Sequence, residues 1–95
     1  MIEVRKTKVF NSWLSNLKDE RALAKISTRI DRVALGNFGD AKFFGGIGEL
    51  RIDYGPGYRV YFVQRGAVVV VLLCGGDKST QSKDIDLAKE LADGL

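Results

Sequence analysis

A chain of 95 residues, 45% hydrophobic and 28% charged, is long enough to bury one core without staples. It carries 15 basic and 12 acidic side chains, no histidine and a single cysteine, Cys74. That composition excludes Ser-His-Asp and Cys-His catalysis, histidine-based metal sites and an internal disulfide.

In chain order, residues of about 2–5 read as a short first strand. Thr7 is an N-cap candidate for a helix reaching about Leu17, because Val9, Phe10, Trp13, Leu14 and Leu17 recur at three-to-four spacing. Trp13 reads as a core anchor. A second helix, from about Asp19 to Leu35, keeps Leu23, Ile26, Ile30, Val33 and Ala34 on one stripe and ends at Gly36. Arg21, Lys25, Arg29 and Arg32 lie toward its other side, a basic face that by itself reads as solvated. The two helices form a hairpin. Residues 37–48 read as a glycine-rich loop anchored by Phe38, Phe43 and Phe44.

Strands follow at about 48–54, 58–64 and 67–74, with a tight turn at Arg65-Gly66. The run Val68–Leu73 lacks polar alternation, so both its faces are expected to be covered, and it is far too short to span a bilayer. Residues Ser82–Ala92 read as a third helix with Ile85, Ala88, Leu91 and Ala92 inward. The order predicts an α+β fold in one domain, residues 1–95. An N-terminal helical hairpin packs on one face of a mostly antiparallel sheet, with a C-terminal helix, and the other face stays partly open.

The centre of the chain is the most sharply patterned part. Leu50, Ile52, Tyr54, Tyr58, Val60 and Phe62 occupy even positions, and Glu49, Arg51, Asp53, Arg59 and Tyr61 odd ones. Strand side chains alternate faces, so the even set is apolar and the odd set polar. If Tyr54 stands opposite Tyr58 across the Gly-Pro-Gly turn, Asp53 faces Arg59 and Arg51 faces Tyr61. An open face with clustered arginine and tyrosine suits a polyanion, although Asp53 and Arg59 alone would make only a surface ion pair worth under ~1 kcal/mol. Tyr54 and Tyr58 belong to the core, and Cys74 reads as a small buried hydrophobe. Twelve of the fifteen basic side chains fall within residues 1–66, against seven of the twelve acidic ones, which suits a basic surface there. The segment Asp77-Lys78-Ser79-Thr80 is either the polar cap of the last helix or part of a site. The chain shows no signal peptide, and a cytoplasmic location is the expectation.

The segments Gly48-Glu-Leu-Arg-Ile52, Tyr54-Gly-Pro-Gly-Tyr-Arg-Val-Tyr-Phe62 and Leu73-Cys-Gly-Gly-Asp-Lys-Ser-Thr-Gln81 resemble those of the RelE/ParE toxin superfamily. Within it, they resemble the HigB-like addiction module killer branch. The resemblance spans almost the whole chain. It implies a toxin of a type II toxin–antitoxin system, whose best-studied relatives cut messenger RNA, usually at the ribosome. With no histidine, no cysteine cluster and no metal-ligand spacing, the activity is expected to need no metal or cofactor. The partners implied are a cognate antitoxin of the DNA-binding helix-turn-helix kind, messenger RNA and the ribosome, with no membrane. By position, the resemblance implies Arg51, Arg59 and Lys78 as catalytic groups. Arginine forks would offset charge on the phosphorane; the base would be Lys78, desolvated by RNA and oriented by Asp77, or Asp77 itself. Tyr61, Asp77 and Gln81 are assigned to RNA binding, Tyr61 by stacking on a base or by a hydrogen bond to a phosphate. The chain departs from RelE in one respect, since no tyrosine follows Tyr61. The alternative is a ParE-like gyrase poison or a binding module of the same fold without chemistry.

Overall fold

The computed structural model describes Met1–Leu95. The elements are β1 (Glu3–Lys6), α1 (Lys8–Ser15), α2 (Glu20–Ala34), β2 (Ala41–Phe44), β3 (Ile47–Ile52), β4 (Tyr58–Arg65), β5 (Val69–Gly76), a 3₁₀ turn (Lys78–Thr80) and α3 (Gln81–Asp93). The class is α+β, with a five-stranded mixed sheet in the order β1-β5-β4-β3-β2. Strand β1 runs parallel to β5, and the other neighbours are antiparallel. No helix is long and apolar enough to cross a membrane.

The helix boundaries follow from capping chemistry. Thr7 caps α1 by accepting from the Phe10 N–H at 3.0 Å, and Asp19 caps α2 by accepting from Arg21 and Ala22. The segment expected as a loop contains β2, whose pairing runs from Ala41↔Leu50 to Phe44↔Ile47. Its signal was hidden because Phe43 and Phe44 are adjacent and break the period-two pattern. Gly45 and Gly46, at φ 57° and 82°, make the tight turn into β3.

Both faces of the sheet are covered. On the even face, Leu50, Ile52, Val60 and Phe62 pack with Phe10, Ile26, Ile30 and Val33 of the helical hairpin. On the odd face, Tyr61, Val63, Leu73 and Cys74 pack with Ala88 and Ala92 of α3. The expectation of an open odd face is therefore corrected. The apolar stripe of α3 needs a sheet to cover, the even face is already occupied, and only the odd face remains.

A β-bulge adjusts β5 to this double burial. Tyr61 stands opposite Cys74, yet Phe62 stands opposite Leu72, which leaves Leu73 as the extra residue. The Leu73 carbonyl accepts from the Thr7 hydroxyl at 2.6 Å, so the bulge also anchors the start of α1. Val70 and Leu72 are fully buried in the core, as the unbroken apolar run Val68–Leu73 leads one to expect. Farther along β5, Trp13 lies flat against the strand. A Cβ on Gly75 would fall 2.3 Å from its ring. The indole cannot swing aside from the core, so Gly75→Ala is expected to destabilise by about 1–3 kcal/mol through overpacking. Urea unfolding, read at constant m-value, checks this.

Candidate active site

The site begins with a turn. Asp53–Gly57 links β3 to β4, with the Tyr54 carbonyl accepting from the Gly57 N–H at 3.1 Å and Gly55 and Gly57 at φ 57° and 77°. Five residues in the turn set the register as Ile52↔Tyr58, Arg51↔Arg59, Leu50↔Val60 and Glu49↔Tyr61. The expected pairings of Asp53 with Arg59 and of Arg51 with Tyr61 are thereby replaced. The shift is two residues along the pair, so each side chain keeps its face.

Arg51 and Arg59 consequently stand opposite each other on adjacent antiparallel strands. Like charges in that position repel, and each is drawn to a different carboxylate. The Arg51 Nε and Nη2 donate to Asp40 Oδ1 at 3.2 and 2.8 Å. The Arg59 Nη1 donates to the Gly57 carbonyl at 2.7 Å, while its Nε lies 3.8 Å from Glu49 Oε2 without a hydrogen bond. The Asp40 side of the site is held by Arg29 of α2. Its guanidinium donates to the carbonyls of Phe38 and Asp40, both at 3.0 Å, and to that of Arg51.

Lys78 arrives from the other end of the chain. Its N–H donates to the Pro56 carbonyl at 3.3 Å, so the 3₁₀ turn leans on the hairpin turn. A Cβ on Gly57 would stand at ordinary contact distance, 3.5 Å, from the Lys78 Cβ; the glycine is required by its φ of 77°. Asp40, Arg51, Asp53, Gly57, Arg59 and Lys78 line one open cleft of about 310 Å³. Lys78 is exposed and makes no ion pair; the ion pairs of the molecule are Arg5–Glu3, Arg51–Asp40 and Arg59–Glu49.

Tyr61, Asp77 and Gln81 do not line this cleft. Tyr61 is fully buried beneath α3 and its hydroxyl has no hydrogen-bond partner, so base stacking or phosphate bonding by Tyr61 is corrected. Burial first, and then the nearby Glu49, push its phenol well above the ordinary range, which keeps it neutral. Asp77 accepts from the Ser79 N–H at 2.8 Å and from the Ser79 hydroxyl, capping the 3₁₀ turn. Those bonds, the hydroxyl's first, hold its carboxyl below the usual carboxylate range. The Gln81 amide donates to Glu49 Oε2 at 2.9 Å and so faces the interior.

Glu49 is the residue that sequence reasoning missed. It is 1% exposed, and it joins β3, the Arg59 guanidinium and the first residue of α3. The available signal was the amphipathic stripe of α3. Once the hairpin claims the even face, α3 must cover the odd one, and with it Glu49. No group of three or more Cys, Asp and Glu side chains stands close enough to hold a metal ion.

The sequence profile of the Phage derived protein Gp49-like family (DUF891) matches residues 12–93. An uncharacterized protein of Haemophilus influenzae is 59% identical over 95 residues, covering 99% of this chain and 96% of the relative. No solved structure matches the chain significantly. Two arginines and a lysine in a cleft at the end of strands β3 and β4, in a chain without histidine, are in keeping with a toxin-like class of protein. The chain belongs to the Gp49-like family, which is a toxin-like family related to RelE and HigB.

Removing the Glu49 carboxylate leaves the Arg59 and Gln81 donors facing a void. Glu49→Ala should therefore destabilise by about 1–3 kcal/mol, read by thermal or urea unfolding. Cys74 gives a second check. Burial, and then Asp84, push its thiol up to about 12. The native thiol should resist iodoacetamide at mildly alkaline pH and react fully on unfolding. Because the folded value is the higher one, this contribution to stability is complete below the ordinary thiol range. It is lost as pH rises toward about 12.

Proposed function

We propose that this protein is the toxin of a type II toxin–antitoxin system and acts as a metal-independent endoribonuclease on translated messenger RNA. Membership of the Gp49-like family supports the toxin reading and an antitoxin partner. The observation that carries the chemistry is the convergence of Arg51, Arg59 and Lys78, from three separate segments, on one solvent-open cleft.

In this reading the RNA 2′-oxygen attacks the adjacent phosphorus. The O2′–P bond forms, the P–O5′ bond breaks, and the 5′-oxygen takes a proton from water. Lys78, unpaired in the cleft, takes the 2′ proton in its neutral amine form and ends the step as an ammonium. Arg59, braced by the Gly57 carbonyl, holds the non-bridging oxygens. Arg51 joins it by exchanging Asp40 for phosphate. The products are a 2′,3′-cyclic phosphate and a 5′-hydroxyl. The arrangement of hairpin, sheet and cleft is of the RelE kind in this proposal, and the working location is the cytoplasm. The partners are a helix-turn-helix antitoxin, messenger RNA and the ribosome.

The side chain of Arg59 is only 13% exposed and pairs with a buried carboxylate, so its truncation would perturb folding as well as chemistry. Arg59→Lys keeps the charge and removes the fork. It should lower cleavage by about 10²–10³-fold while melting within a few degrees of the native protein. Induction in cells followed by primer extension should map breaks within codons. In vitro, 2′-deoxy substitution at the cut should block the reaction and a chelator should leave it intact. Intact messenger RNA accompanied by DNA damage would instead assign the toxicity to gyrase.

A further inference from the structure

Beside the cleft runs a second, larger groove of about 680 Å³, lined by Arg21, Lys25, Arg29 and Arg32 of α2 together with Ile52 and Asp53. Ile52 and Asp53 also line the cleft, so the two hollows adjoin. We propose that this groove is a second nucleic-acid site. It holds the phosphate backbone of the single-stranded RNA that leaves the Arg51–Arg59–Lys78 cleft. The proposal rests on the ribonuclease reading and adds to it where the flanking strand lies.

Spacings of four, four and three residues put the four cations on one side of α2, at rises of about 6, 6 and 4.5 Å. That step is comparable to the phosphate repeat of a nucleic-acid strand. Like charges at such spacing repel and weaken a helix. Ordinary helices relieve the repulsion with interleaved carboxylates, but Arg21, Lys25 and Arg32 form no ion pair. Asp53 is the lone carboxylate lining the groove. The Lys25 ammonium sits 5.4 Å from the Tyr54 ring centre, and the Tyr54 hydroxyl donates to Asp19 at 3.1 Å, which steadies the groove beside the hairpin turn. Arg29 is already committed to three backbone carbonyls and forms a fixed positive wall. Arg21, Lys25 and Arg32 are exposed and free to move onto phosphates.

The test compares the full chain with a variant carrying Arg21→Ala, Lys25→Ala and Arg32→Ala, leaving Arg29 in place to preserve the loop it holds. The probe is a labelled 2′-O-methyl oligoribonucleotide, which can bind but cannot be cut, titrated across a salt series. Each lost phosphate contact on a single strand lowers the slope of log K against log salt by about 0.7, so the triple variant should lose about 2 from that slope with its melting temperature unchanged. Arg59→Lys should keep most of the slope while losing cleavage. A variant with the native slope, where the native protein binds, overturns the groove and leaves the cleft reading standing. Failure of the native protein to bind the probe overturns the groove, while the cleft reading is decided separately by the primer-extension breaks. A native slope combined with loss of the co-expressed antitoxin assigns the groove to a protein partner and likewise overturns the proposal.

Discussion

Glu49 is the constraint around which this structure is arranged. A carboxylate 1% exposed in the middle of a sheet would cost several kcal/mol without partners. Its partners come from two other segments, Arg59 on β4 and Gln81 at the start of α3. Meeting that demand does three things together. It holds α3 across the odd face, it keeps one edge of the Arg59 guanidinium turned inward, and it leaves the Arg59 side chain on the wall of the cleft. The unpartnered Tyr61 hydroxyl, on the residue directly opposite Glu49, belongs to the same polar island within an apolar layer.

Close approach of backbone segments completes the arrangement. Gly75 admits the Trp13 ring, and the Pro56 carbonyl receives the Lys78 N–H. The bulge at Leu73 releases a carbonyl to Thr7, so the helical hairpin is tied to the strand whose far end leads into the 3₁₀ turn. One strand, β5, therefore fixes where α1 begins and where Lys78 is delivered. The cleft sits at the hairpin-turn end of the inner strands β3 and β4, where cationic side chains rise from ordered backbone.

The charge asymmetry of the sequence takes a definite form in space. The basic surplus of residues 1–66 is split between α2 and the β3–β4 hairpin, and these adjoin at Ile52 and Asp53. Unpaired cations held together on a rigid surface are a persistent electrostatic cost, tolerated where an anion is to be bound. Arginine forks match the oxygens of an anion, and this chain, which has no histidine, presents two of them in its cleft.

Local chemistry alone determined much of this protein. Capping at Thr7 and Asp19, the stripes of α2 and α3, the even–odd alternation around Gly55-Pro56-Gly57 and the apolar run of β5 placed the three helices and every strand but β2 closely. Alternation also put Arg51 and Arg59 on one face, because a two-residue error in register leaves parity untouched. Tertiary structure alone decided what covers that face. Nothing local in Glu49 or Tyr61 says that α3 will lie over them, since the choice depends on α1 and α2 having taken the other side. Nor does adjacency in sequence foretell that Lys78 meets Pro56 and Gly57, or that Leu73 bulges. Those contacts join segments far apart in the chain, and they are settled by the packing of two apolar faces rather than by any residue's own preference.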